Sequence, residues 1–157
     1  MMRHEVLELK EQKYVGIKTI IPFKDAEKFD FAKLHEELRA ANINDVDRDE
    51  YFMAMDTDFT ESSFSYTPLV PVRSFDNNKE YTQFTRKQGK YCAFEVRADG
   101  LSPAWFKEVF EYIGENGINV ENTGYDLEYY DDKYRAMVES EVAPAERVLK
   151  VLFKMQS

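Results

Sequence analysis

Two hydrophobic periods alternate along this chain, and the order in which they alternate is used twice. Across residues 13–21 the apolar positions recur every second residue, with Val15, Ile17, Thr19 and Ile21 on one side, which predicts a strand. From residue 29 the period lengthens: Phe31, Leu34, Leu38 and Ala41 share one helical face, and Asn42 is a suitable stop. Residues 51–56 and 64–72 return to the strand period around a polar turn at 58–63. Pro68 and Pro71 predict that the second of these strands is irregular or lies at an edge.

After a connector at 73–80, residues 81–86 and 90–97 predict a hairpin turning at Lys87-Gln88-Gly89. Ser102 is the expected N-cap of a second helix with Pro103 at its first position. Trp105, Phe106, Val109, Phe110 and Ile113 form its expected buried stripe, and Gly114 or Gly117 can end it. A strand around residues 124–131 follows, then a last one at 147–155, where Leu149, Val151, Phe153 and Met155 share a face. The expectation is an α+β fold: a tandem strand-helix-strand-strand repeat forming one antiparallel sheet, with two helices on one face and a ligand trough on the other. Residues 1–157 read as a single domain, with repeat one at about 1–75 and repeat two at about 76–157.

The strand around residue 128 carries the most chemistry. With a period of two, Tyr125, Leu127 and Tyr129 point one way and are expected to form a floor for a helix. Asp126, Glu128 and Tyr130 point the other way, into the expected trough. A carboxylate flanked by rings and partly out of water is costly unless something positive meets it. The strand is therefore a candidate seat for a cationic, partly apolar ligand; the plainer alternative is a solvated edge strand with ordinary surface acids.

Composition narrows the classes. A formal net charge of −9 argues against direct nucleic-acid binding, which needs a basic face. The 43% hydrophobic and 32% charged content is that of a soluble globule, with no apolar run long enough to span a bilayer. The first residues lack a secretory signal, and a single cysteine, Cys92, excludes an internal disulfide, so a cytoplasmic location is expected. Ten tyrosines and twelve phenylalanines suggest either an aromatic-lined cavity or a Phe-rich core with surface tyrosines. Asp45, Asp47, Asp49 and Asp56 mimic part of a calcium loop, but Glu50 stands where that loop needs glycine, and a solvated acidic turn is the expectation. Two histidines, His4 and His35, cannot make a histidine-rich zinc site; His35 is read as a boundary residue beside the Phe31/Leu38 stripe. Cys92 is read as a small core residue, and no glycine-rich phosphate loop is present. No metal or cofactor is expected.

The run Gly89-Lys90-Tyr91-Cys92-Ala93-Phe94-Glu95-Val96-Arg97-Ala98-Asp99-Gly100 resembles the Gly-x-Tyr-Ala-x-Phe strand, closed by a glycine, of the GyrI-like proteins. That family includes the effector-binding domains of multidrug-sensing MerR-type and AraC-type bacterial regulators. The Trp105 helix is similar to the tryptophan-bearing helix of many members, and Leu127-Glu128-Tyr129-Tyr130 resembles their Phe-Glu-x-Tyr strand, whose glutamate meets cationic drugs. Lys13-Tyr14-Val15-Gly16-Ile17 also suits the family's first strand. Departures are Leu127 in place of phenylalanine and Gln88 in place of a frequent glycine.

The resemblance implies a ligand at the interface of the repeats, with Glu128 as the acid that meets the cation and Tyr130 its neighbour. Asp126 and Trp105 join them as candidate ligand-binding residues, and Tyr51 and Tyr66 are candidates for the first-repeat wall. With the first strand so near residue 1, a DNA-binding transcription factor is not expected from this chain. The expected function is binding of small cationic, lipophilic or aromatic compounds, for sensing or sequestration. Two alternatives stay open: a protein-interaction role such as protecting gyrase from toxins, and hydrolysis of strained-ring xenobiotics with Glu128 as acid or base. The expected partner is a small cationic or aromatic molecule, with a partner protein in the second case, and neither nucleic acid nor membrane.

Overall fold

A computed structural model describes residues 2–157. Nine strands form one antiparallel sheet: β1 (Glu5–Leu9), β2 (Gln12–Gly16), β3 (Thr19–Pro22), β4 (Met53–Thr57), β5 (Ser63–Val72), β6 (Thr82–Arg86), β7 (Gly89–Arg97), β8 (Asp126–Tyr129) and β9 (Val148–Lys154). Three α-helices join them: α1 (Phe31–Ala40), α2 (Pro103–Glu115) and α3 (Asp132–Glu139). The strand order is β1-β7-β9-β8-β4-β5-β2-β6, with β3 also on β5. About the central β4–β8 pair the halves correspond strand for strand: β9 with β5, β7 with β2, β1 with β6. The edge strands are exchanged, since β1 leads into β2 but pairs with β7, and β6 leads into β7 but pairs with β2.

This is the expected α+β architecture, one antiparallel sheet carrying α1 and α2 on the same face. Phe31 and Leu34 of α1 and Trp105, Phe106, Val109 and Ile113 of α2 all pack on the cluster formed by Ile21, Ala54, Tyr66, Cys92, Phe94, Val151 and Phe153. Asp30 caps α1 by accepting from the Lys33 N–H, and Ser102 caps α2 by accepting from the Trp105 N–H. Past the end of α2, Gly117 takes the left-handed conformation at φ +61°. Phe110 departs from the expected stripe: it is 51% exposed and touches Phe153 only edge-on, and Tyr112 meets Phe94 instead.

Three further differences have local causes. The strand expected at 13–21 is broken into β2 and β3, and on the shared register Ile17 falls opposite Pro68, which has no N–H to offer the ladder. β5 is therefore not the edge expected from its prolines; it lies between β4 and β2, and the missing donor falls at the gap between two partner strands. Gly16 is required beside that gap, because a Cβ there would sit 2.1 Å from the Pro68 carbonyl oxygen. Strand β1 and helix α3 were not expected: β1 is a short edge strand with two glutamates, and α3 buries no residue fully, so neither has a strong apolar period.

The facing of β8 is the reverse of the expectation. Leu127 and Tyr129 pack with Tyr14, Met53, Met55, Leu69, Tyr91, Ala93 and Leu152 on the face away from the helices. That face is closed by the curl of the sheet: Phe84 of the edge strand β6 meets Tyr125, just before β8, with ring centroids 5.3 Å apart. The floor beneath the helices is the other side of β8, so Glu128 and Tyr130 lie on the helix side.

Arg86, at the end of β6, ties the curl together. It is 1% exposed, donates to the Lys10 carbonyl between β1 and β2 and to the Tyr14 hydroxyl, and lies 3.2 Å from the Glu50 carboxylate. Breaking a buried pair by removing one member leaves the other charge uncompensated. Arg86→Met is expected to lower the unfolding free energy by about 3 to 5 kcal/mol in urea denaturation. Adding Glu50→Gln should recover part of that loss; a double variant no more stable than Arg86→Met would show that the pair is not its source.

Candidate functional site

The pairing of β4 with β8 sets Ala54 opposite Glu128 and Asp56 opposite Asp126 on the helix side of the sheet. Glu128 and Asp56 are each 8% exposed, and their carboxyl groups hydrogen-bond one another, which requires one proton between them. The Tyr130 hydroxyl donates to Glu128 Oε1 at 3.1 Å. Its hydrogen being spent there, the Tyr130 oxygen accepts from the Tyr66 hydroxyl, also at 3.1 Å. Tyr66 in turn accepts from His35 Nε2–H at 2.7 Å. Two donors thus meet Glu128: Tyr130 after β8, at the end of a series that runs from His35 of α1 through Tyr66 of β5, and Asp56 of β4 from the other side.

The electrostatics follow from this polarity. Burial raises both carboxyls of the Asp56–Glu128 pair, but the hydrogen bonds from Asp56 and Tyr130 act to lower Glu128, while the Glu128 charge raises Asp56 further, well above the usual range. Both influences favour Asp56 as the holder of the shared proton and Glu128 as the bearer of the charge. Burial, and then the Glu128 charge, push Asp126 up to about 6. Burial also raises Tyr66 and Tyr130 well above the ordinary phenol value, and, with Arg39 nearby, lowers His35 to about 4. His35 is therefore neutral at pH 7. Among the described residues no basic side chain forms an ion pair with Glu128, Asp56 or Asp126.

Aromatic rings surround the acid. Phe31 stands edge-on to Tyr66 at 4.7 Å, His35 edge-on to Tyr130 at 5.4 Å, and Tyr134 of α3 lies 4.7 Å from Tyr130. Of the residues singled out from sequence, Glu128, Tyr130 and Tyr66 are joined in one hydrogen-bonded chain, and Asp126 lies on the same side of the sheet. Trp105 packs on the same core cluster from α2, against Phe106. Tyr51 is elsewhere: it lies on the opposite face with Tyr129 and under the Arg135 guanidinium, 4.6 Å from its ring centroid. Asp56 and His35 were not anticipated as site residues. Alternation sets Tyr51 and Asp56 on opposite faces of a strand at 51–56, so only one of them can share the face of Glu128, and the pairing of β4 with β8 decides for Asp56. Cys92 is buried, which pushes its thiol up to about 11, so it is no nucleophile.

No family model matches the chain, and no curated protein does. Solved structures do. The structure of SAV2435 bound to tetraphenylphosphonium is similar over 99% of this chain and 95% of that one, with TM-score 0.65 and 16% identity. The EcmrR C-terminal domain is similar over 100% and 99%, with TM-score 0.68 and 14% identity. A hydrolase from Listeria innocua is similar over 98% and 92%, with TM-score 0.56 and 8% identity. The chain has the fold of the GyrI-like effector-binding domains that its sequence resembles.

The shifted groups make opposing contributions to stability. The unfolded chain protonates His35 near its ordinary 6.5 and the folded protein only near 4, so His35 makes stability rise with pH across that interval. Asp126 does the reverse, because its folded value of about 6 exceeds the unfolded one, and stability is lost as pH rises through 6. Relative to the parent, His35→Gln should therefore lose its rising component between pH 4 and 6.5, and Asp126→Asn should gain stability as pH passes 6. Denaturant midpoints at several pH values check both signs.

Proposed function

We propose that this chain binds small lipophilic or aromatic cations, for sensing or sequestration, with Glu128 as the charge that meets the ligand. The observation that carries this reading is a buried carboxyl pair in which Glu128 takes hydrogen bonds from Asp56 and from Tyr130, the end of the His35–Tyr66–Tyr130 series, and which forms no ion pair with a basic side chain among the described residues. Such a charge is costly in a folded protein and becomes favourable when a cation with apolar substituents replaces the missing partner. Tyr66, Tyr130, Tyr134 and Phe31 supply rings, each worth about 0.5 to 2 kcal/mol against a cation. Two or three such contacts with apolar burial reach roughly the −8 kcal/mol of a micromolar complex. Asp126 adds negative charge nearby, and Trp105 lies on the same side of the sheet. Tyr51, on the other face, drops out of this reading. Admission of a ligand requires the rings over Glu128 to turn aside. The bound tetraphenylphosphonium of SAV2435, a protein of this fold, supports the ligand class.

A second reading has one observation in its favour: a protonated Asp56 beside an ionised Glu128 is an acid–base pair, and a hydrolase shares the fold. Hydrolysis of a strained ring would use Asp56 as the proton donor and Glu128 to activate water. Product formation at catalytic protein levels, lost in Asp56→Asn, separates it from binding alone.

For the first reading, Glu128→Gln keeps the shape and removes the charge. Tetraphenylphosphonium should bind the variant about ten- to a hundredfold more weakly by calorimetry, the equivalent of about 1.5 to 3 kcal/mol. Neutral triphenylphosphine oxide should lose little. Parent affinity for the cation should also rise as pH increases through about 6, where Asp126 ionises, with proton release on binding below that pH. Equal affinity of parent and Glu128→Gln for the cation would rule out the site.

A further inference from the structure

The end of the sheet that carries Asp126 and Asp56 also carries three stacked phenylalanines, two of them in water. Phe64 of β5 stands two residues before Tyr66 on the same face, and Tyr66 is the cross-strand partner of Asp56. Phe23, just after β3, stacks on Phe64 with ring centroids 5.4 Å apart, and Phe59, from the β4–β5 turn, stacks on it at 6.1 Å. The Phe23 N–H donates to the Ser62 carbonyl at 2.9 Å, which ties that residue to the same turn. Phe64 is half-buried and packs on the helix-side core, whereas Phe23 is 40% and Phe59 52% exposed.

Adjacent exposed rings are unfavourable in water and mark a place where apolar groups dock. Strand β5 leads from this patch to the proposed cation site: Phe64, then Tyr66, then the Tyr130 hydroxyl and Glu128. The surrounding charge has the sign that a cation requires. Asp56 and Asp126 lie in the row of the sheet next to Phe64, and Lys18, which reaches this end, is matched by Asp58. Lys24 and Asp25, which follow Phe23, carry opposite charges. From Asp56 to Phe64 is one strand across and two residues along, about 8 Å between Cα atoms.

We propose that Phe23, Phe59 and Phe64 form an outer subsite of the acid-centred site, and that the ligand is an elongated cation with an aromatic ring roughly 8 to 12 Å from its positive centre. The inference rests on the Glu128 reading and narrows its ligand class. The charge sits at the Glu128–Asp56 pair, the linker lies along Tyr66 and Phe64, and the distal ring stacks on Phe59 and Phe23. A cation with only short substituents meets the acid but leaves the outer rings in water, so it forfeits that part of the apolar burial.

The test uses calorimetry on the full chain with a set of quaternary ammonium ions. Phenylhexyl-trimethylammonium places its ring at the required distance, hexyl-trimethylammonium lacks the ring, and benzyl-trimethylammonium has it too close to the charge. The first should bind the parent about tenfold more tightly than either of the others. Phe59→Ala, a change at an exposed turn, should reduce the ratio of phenylhexyl to hexyl affinity by about threefold or more, and Phe59→Tyr, which keeps the ring, should retain it. A ratio near one in the parent, or a ratio that Phe59→Ala leaves unchanged, would overturn the outer subsite. Tetraphenylphosphonium binding, with its loss in Glu128→Gln, tests the inner acid separately. Where that holds and the ring preference fails, only the outer subsite is lost; where no cation binds the parent, both readings are.

Discussion

The structure is organised around one unneutralised charge. Glu128 is buried, and hydrogen bonds from Asp56 and from Tyr130, the end of the His35–Tyr66–Tyr130 series, act against the effect of burial on its carboxyl. Each donor comes from a different element: α1, β5, the segment after β8, and β4. Hydrogen bonds in such a series polarise one another in a low-dielectric interior. The charge therefore tests the placement of four elements at once, since displacing any one leaves a buried donor or acceptor without its partner.

The pairing of β4 with β8 makes that convergence possible. It joins the two halves of the sheet and sets Asp56 across from Asp126 and in hydrogen-bonding reach of Glu128. Antiparallel pairing keeps the alternation of both strands in phase, so all three acids emerge on one side. The helices then cover that side, and burial does the rest of the pKa adjustment. On the other side the curl of the sheet buries Leu127 and Tyr129 against residues from distant strands, with no helix needed.

Much of this was legible in the chain, and the failures share a cause. The cap at Ser102 and most of the helical stripe, Phe110 excepted, are local signals that were read correctly, and of the two stops offered, Gly114 and Gly117, the chain uses Gly117. Glu128, Tyr130 and Tyr66 were picked out, and they do lie in one chain of hydrogen bonds. The orientation of β8 was misread because its acidic face reads as the one turned away from the helices, whereas the curl of the sheet buries the Leu127/Tyr129 face without any helix. Asp56 was passed over because its partner lies on another strand far along the chain. His35 lies within α1 beside the Phe31/Leu38 stripe, as expected, but its use depends on where β5 places the Tyr66 hydroxyl. Tyr51 was misplaced because parity allows only one of Tyr51 and Asp56 on the face of Glu128, and the strand pairing decides for Asp56. Strand β1 and helix α3 have too little apolar surface to announce themselves.

The two faces of the sheet treat buried charge in opposite ways, and the contrast bears on function. On the curled face Arg86 meets Glu50, Tyr14 and a backbone carbonyl, so its charge is matched within the protein. Such a network holds the edge strands in place and has nothing left to offer a ligand. On the helix face the negative charge has donors but no countercharge, and the cost of burying it remains in the folded state. In the proposed binding role that remaining cost would be released when a cation arrives. A site of this kind gains its affinity by relieving an unfavourable term already present, so it discriminates by charge before it discriminates by shape. Under that reading the rings around Glu128 vary in their contacts from one ligand to the next, while the acid sets the requirement for a positive centre.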